Sequence, residues 1–255
     1  MTTYELDNER IFRGDLLLVN ASHPLRTACD RDLRPAFPRW PKMLLRRPAA
    51  LAVRQTLERI GAGDLIVPVS AYRAPSEQKS LYAAALRKHG EDYTRKYVAL
   101  PGCSEHESGL AVDLALNVKR IDPICPGFPY DGICGEFRKE AVKNGLIERY
   151  PAGKEGVTGI AHEPWHFRYV GWPHAGFMTE NGLAFEDYIR LLQKDTEPGK
   201  PLVTKDRKSG IVNEVFHVPA DGGKVTRLTL PDNAVYQFSG DNDEGFIVTL
   251  WRREA

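Results

Sequence analysis

The chain has 255 residues, 42% of them hydrophobic and 27% charged, enough for one sizeable core or for a main domain with a small companion. Thirty-five basic against thirty-four acidic residues leave a formal charge of +1 and no basic run, so neither nucleic acid nor an anionic membrane is an expected partner. The polar, acidic start Met1-Thr2-Thr3-Tyr4-Glu5-Leu6-Asp7 does not read as a signal peptide, and apolar runs such as Leu16-Leu17-Leu18-Val19 are far too short to span a bilayer, which makes the cytoplasm the expected compartment.

Gly14-Asp15 leads into Leu16–Asn20, a predicted strand. Pro48–Ile60 reads as a helix, with Pro in its first turn and Gly61 at its end. Leu65–Val69 is a short apolar strand in which Pro68 marks an edge or a bulge. Ser76 is the expected cap of a helix that runs through Leu86 and stops at Gly90. Leu110–Leu116 is a further strand, Glu136–Asn144 a short helix closed by Gly145, His166–Val170 a strand and Phe185–Gln193 a helix. Asn117–Gly135, rich in Pro and Gly, is a long loop that reads equally as a binding loop or as a structural excursion. Helices and strands alternate without a regular βαβ pattern, so the fold class is α+β.

After Gln193 the texture changes. Lys194–Gly210 is charged and holds Pro198, Gly199 and Pro201, the composition of a linker. Ile211–Val218, Val225–Leu230, Ala234–Ser239 and Phe246–Trp251 are predicted strands, with turns at Ala220–Gly223, Pro231–Asn233 and Gly240–Gly245. The expected organisation is a main domain over 1–193, a linker over 194–210 and a small all-β appendage over 211–255. The acidic turn lacks the ligand spacing of a calcium loop. Cys29, Cys103, Cys125 and Cys134 contain no C-x-x-C pair and read as free thiols, with Cys103 near enough to His106 to line a site.

Two stretches carry chemistry, Ser104-Glu105-His106-Glu107-Ser108-Gly109-Leu110-Ala111-Val112-Asp113 and Glu163-Pro164-Trp165-His166. A turn at Ser108-Gly109 followed by a strand brings His106 and Asp113 toward one point. Asp113 lies inside an apolar strand, where an unpaired carboxylate is unfavourable, so a metal or a cationic partner is implied. His166 is the candidate third ligand. Pro164 pushes Glu163 toward an extended backbone, and a bend there aims Glu163 and His166 at one cavity. Three protein ligands leave one position open at zinc, and a nearby Glu can take a proton from water. His162 reads as an outer neighbour of the site. Arg73 reads either as a holder of an oxyanion or as a surface cation.

Taken in order, Ser-x-Tyr-Arg-x4-Gln, Ser-x-His-x2-Gly-x-Ala-x-Asp and Glu-x-Trp-His resemble the D-alanyl-D-alanine carboxypeptidase family of zinc peptidases, the VanY group. Leu16–Asn20, Gly90–Pro101, Phe128–Cys134 and Gly245–Arg252 are similar to its cytoplasmic VanXY type, bifunctional D,D-dipeptidase/D,D-carboxypeptidases. The resemblance spans essentially the whole chain, with Ala71 where the family usually has Gly. It implies a hedgehog/D,D-peptidase-like zinc domain with a small C-terminal β appendage. By resemblance His106, Asp113 and His166 bind zinc, Glu163 is the catalytic base and Arg73 the transition-state stabiliser. Gln78 and Ser104 match substrate contacts, while Tyr72 and Trp165 shape the pocket. The implied substrates are D-Ala-D-Ala and the peptidoglycan precursor that ends in it. A peptidoglycan-trimming carboxypeptidase or endopeptidase of the same family stays open, as does a zinc-containing, non-catalytic binding module of the hedgehog type.

Overall fold

The structure, a computed structural model, describes residues 1–27, 32–206, 210–232 and 234–253. Cys29, residues 207–209 of the expected linker and Asn233 of the expected turn lie outside them. In chain order the elements are β1 (Thr2–Asp7), β2 (Leu33–Pro35), β3 (Leu44–Arg46), α1 (Arg47–Arg59), β4 (Ile66–Ser70), α2 (Pro75–His89), α3 (Glu91–Tyr97), β5 (Ala111–Leu116), α4 (Gly132–Lys143), β6 (Leu146–Tyr150), α5 (Glu155–Thr158), β7 (Glu163–Tyr169), α6 (His174–Glu180), α7 (Phe185–Asp195), β8 (Leu202–Asp206), β9 (Ile211–Pro219), β10 (Val225–Leu230), β11 (Val235–Gly240) and β12 (Gly245–Arg253). This is the α+β mixture expected. Two compact units form, Val19–Phe185 and the pair Met1–Leu18 with Glu186–Ala255. Among the described residues no helix is long and apolar enough to cross a membrane.

Val19–Phe185 is built on a four-stranded antiparallel sheet of order β4-β5-β7-β6. Side chains alternate along β5. Val112 and Leu114 join a core with Val53, Phe137 and Phe167, where α1 and α4 pack on the sheet. Asp113 therefore points away from that core. β4 is an edge strand and its register shifts between Pro68 and Ser70, so Pro68 sits at both an edge and an irregularity. Helix α2 begins earlier than expected. Ala74, not Ser76, is its N-cap, because Pro75 fits the first turn with no N–H to satisfy, and Glu77 accepts from the Ala74 amide at 2.9 Å.

The other unit holds an antiparallel sheet of order β11-β12-β9-β8 and a two-stranded ribbon of β1 and β10. Phe216, Val218 and Val248 of the sheet pack on Leu228 and Leu230 of the ribbon, with Tyr4 at the margin. Three features differ from the sequence reading. The N-terminal segment Thr2–Asp7 pairs with β10, so it belongs with the C-terminal strands. Leu202–Asp206 is a strand where a linker was expected, because its amides and carbonyls pair with β9. Leu16–Val19 is buried but forms no strand, since its polar groups bond irregularly: Leu16 N–H donates to Ser239 Oγ at 2.9 Å and Leu18 N–H to the Asp241 carbonyl at 3.1 Å. The acidic turn closes on itself, with Asp241 Oδ1 accepting from the amides of Asp243, Glu244 and Gly245.

Candidate metal and catalytic site

The register of β5 and β7 sets Asp113 directly opposite His166. His106 comes from a short 3-10 turn, Glu105–Ser108, which Gly109 ends at a φ of +69°. A Cβ at 109 would be strained there and would lie 3.1 Å from Arg46 Cγ, so the turn into β5 requires glycine. His106 Nε2 then lies 3.1 Å from Asp113 Oδ2, and His166 Nδ1 lies 2.9 Å from Asp113 Oδ1. One donor atom from each residue falls within 4.8 Å of the others, and among the described residues this is the one such cluster.

The donor set fits a metal. Two imidazole nitrogens and one carboxylate oxygen are a catalytic-zinc set with a fourth position left for a reactant. The outer nitrogen of His106, Nδ1, is 2.8 Å from the Ala71 carbonyl, so Nδ1–H donates there and the Nε2 lone pair faces Asp113. Burial works against an ionised Asp113, but His106 and His166 outweigh it and hold the carboxyl well below the usual carboxylate range. Burial lowers the pKa of His106, with Asp113 opposing.

The bend expected at Pro164 is a bulge. Glu148 pairs with Phe167 and Tyr150 with Glu163, so β7 takes four steps where β6 takes two. The extra residues let Glu163 and His166 line one cavity of about 400 Å³. Glu163 Oε2 lies 3.7 Å from His166 Nδ1. Burial pushes the Glu163 carboxyl up to about 8, with His166 opposing and Asp113 adding. Tyr72, Arg73, Ser104 and Trp165 line the same cavity. Pro123 and Ile124 of the long loop also line it. Cys103 instead lines a neighbouring cavity with Tyr82 and Leu100. His162 bonds the Tyr130 hydroxyl at 2.7 Å.

Arg73 Nη1 donates to Gln78 Oε1 and Nη2 to Ser70 Oγ, both at 2.7 Å. Burial lowers its pKa, opposed first by Asp113 and then by Glu107, Glu77 and Glu163. Gln78 departs from expectation. It is fully buried, is not among the cavity-lining residues, and its amide N–H donates to the Ala99 carbonyl at 2.7 Å. Both ends of that amide are used inside the protein, so it holds Arg73 rather than facing the cavity.

Sequence reasoning missed Glu105, Arg149 and Arg168, which form a buried ionic cluster behind His166. Glu105 Oε1 accepts from Arg149 Nε at 2.8 Å and from Arg168 Nη1 at 2.9 Å. The one readable signal was that Arg168 shares a strand face with His166.

Fold and site together define a hydrolase of the metallopeptidase class. Residues 42–172 match the family described as VanY, D-alanyl-D-alanine carboxypeptidase, and the chain belongs to that family of zinc peptidases. It is 37% identical over 175 residues, 68% of its own length and 92% of the relative's, to the bifunctional D-Ala-D-Ala dipeptidase and D-Ala-D-Ala carboxypeptidase VanXYC of Enterococcus gallinarum. The crystal structure of the vancomycin resistance D,D-dipeptidase VanXYg in complex with a D-Ala-D-Ala phosphinate analog matches with a TM-score of 0.95 and 48% identity, over 98% of this chain and 99% of that one. The structure of VanYB in complex with D-alanine-D-alanine matches 69% of this chain and 97% of that one, at 25% identity and a TM-score of 0.58.

Proposed function

We propose that this chain is a zinc-dependent D,D-peptidase that hydrolyses the D-Ala-D-Ala dipeptide and removes the C-terminal D-Ala of pentapeptide cell-wall precursors, with a role in vancomycin resistance. The approach of His106, Asp113, His166 and Glu163 to one cavity carries the reading. Kinship to VanXYC and VanXYg supplies the substrate class. The cytoplasm is the proposed compartment, and the free thiols of Cys103, Cys125 and Cys134 suit it.

His106 Nε2, the Asp113 carboxylate and His166 Nδ1 are the proposed zinc donors. Zinc held there supplies Lewis acidity that polarises a carbonyl and brings the pKa of water to about 7. Glu163 is the proton carrier. Its carboxylate takes a proton from the attacking water and returns it to the amide nitrogen as the C–N bond breaks, releasing D-alanine. Such acid–base help is worth roughly 10²- to 10⁴-fold. Arg73, pinned by Gln78 and Ser70, keeps other N–H groups for the oxyanion that develops on the scissile carbonyl. Losing one such donor costs on the order of 3 kcal/mol of transition-state stabilisation. Ser104, Tyr72 and Trp165 shape the cavity around the substrate.

The test is D-alanine release from the free dipeptide, the pentapeptide precursor and intact sacculi, each with and without a chelator. Turnover of the first two, abolished by the chelator and restored by zinc, is the expected result. Release from sacculi alone would replace the reading with a peptidoglycan-trimming carboxypeptidase. Full turnover in chelator would remove zinc from the mechanism.

A further inference from the structure

We propose that Glu105 is a positioning residue that decides which nitrogen of His166 meets the metal: its carboxylate accepts from Nε2–H and so leaves Nδ1 as the ligand atom. The inference rests on the reading of His106, Asp113 and His166 as the metal donors.

Glu105 adjoins His106 in the chain, yet its side chain reaches behind the other histidine. Oε1 is taken by Arg149 from β6 and Arg168 from β7, and all three side chains are fully buried. Oε2 has no hydrogen-bond partner. Nε2 of His166 has none either, and the two atoms face each other at 3.5 Å. Buried polar atoms are rarely left unpaired, and here an acceptor and an imidazole nitrogen of complementary chemistry lie a small movement apart. On the other side of the ring, Nδ1 lies 2.9 Å from Asp113 and 3.7 Å from Glu163, so it is the nitrogen on the cavity side.

His106 has the opposite arrangement. Its Nδ1 is held by the Ala71 carbonyl and its Nε2 faces Asp113. The two imidazoles therefore present different nitrogens to one point, each set by its outer partner. The paired arginines have a second consequence. They hold Glu105 in place, with its second carboxylate oxygen toward His166. Removing an outer carboxylate of this kind lowers metal affinity by about 10- to 100-fold.

Three measurements on the full chain test this. Metal analysis of the wild-type protein is first expected to give one zinc per chain, and chelator competition then gives its affinity. Nitrogen-15 NMR of the zinc-loaded wild type is expected to show the proton on Nε2 of His166 and on Nδ1 of His106. Glu105→Gln keeps the length and loses the charge, whereas Glu105→Asp keeps the charge against both arginines and withdraws it from His166. Both variants are expected to bind zinc about 10- to 100-fold more weakly, with Glu105→Asp unfolding near the wild-type temperature when chelated. A folded variant with wild-type zinc affinity overturns the proposal, and so does a proton on Nδ1 of His166. If neither variant folds, the wild-type nitrogen spectrum decides. A wild type that binds no zinc would instead sink the metal reading itself.

Discussion

Two of the acidic residues that line the cavity, Asp113 and Glu163, are driven in opposite directions. Asp113 lies between two imidazoles and stays ionised, whereas burial dominates at Glu163 and raises it from 4.5 to about 8. Without the metal Asp113 is an anion and Glu163 is mostly neutral at pH 7, and a divalent cation held by the neighbouring donors would favour the Glu163 carboxylate that takes a proton from water. The shift at Glu163 also has a thermodynamic sign. A carboxyl whose pKa is raised on folding favours the folded state below about 4.5, and that contribution is lost as pH rises through about 8. At pH 7 the ionisable Glu163 therefore destabilises the fold relative to a neutral side chain. Glu163→Gln is expected to lose at least two orders of magnitude in hydrolysis. In chelated protein it should also be more stable than wild type by on the order of 2–3 kcal/mol at pH 7, with no gain at pH 4. Denaturant titrations at the two pH values check the second half. Equal stability at pH 7 would mean that Glu163 is not held against its ionisation.

At the scale of elements, the cavity depends on irregularities held in place from outside. Arg138 of α4 donates to the carbonyls of Phe128 at 2.8 Å and Pro164 at 2.7 Å, to Pro129, and to Glu148 of β6 at 2.8 Å. Its guanidinium lies 3.9 Å from the centre of the Tyr130 ring. One side chain thus ties the end of the Pro- and Gly-rich loop to the β7 bulge. Arg138→Lys replaces a planar fork with a point charge and leaves carbonyls unpaired. The expected loss is about 2–4 kcal/mol in stability. A raised KM for both substrates should accompany it, because Pro123, Ile124 and Glu163 all line the cavity. Denaturation and steady-state kinetics check the two together. An unchanged KM would show that this clamp does not shape the pocket. Composition made the loop visible in the sequence. Arg138 was not, because a basic residue on a helix reads the same whether it faces solvent or a cluster of carbonyls.

For the whole molecule, the N-terminus belongs structurally with the C-terminal strands. Leu6 packs with Ile11 and Phe246, and β1 pairs with β10 along its length. Leu6→Ala is expected to cost about 2–5 kcal/mol, as other buried leucines do. Zinc content should stay at the wild-type level, because the proposed donors His106, Asp113 and His166 all lie in Val19–Phe185. Denaturation with metal analysis tests this. Loss of zinc at full stability would reverse the assignment of Leu6.

The sequence alone determined the features that rest on local chemistry. Ser108-Gly109 and Pro164 mark the turn and the bend near His106, Asp113, Glu163 and His166. Alternating or clustered β-formers bounded by turn residues marked β9, β10, β11 and β12 to within a residue or two, because both are local signals. Only the tertiary structure decided that β10 pairs with β1, that Leu16–Val19 stays irregular, that Gln78 holds Arg73, and that Glu105 lies buried between Arg149 and Arg168 behind His166. Each of these depends on which distant segments meet. Short-range patterns set turns and periods, but the partner of a strand edge or of a buried charge comes from chain closure over long separations, and no local signal records it.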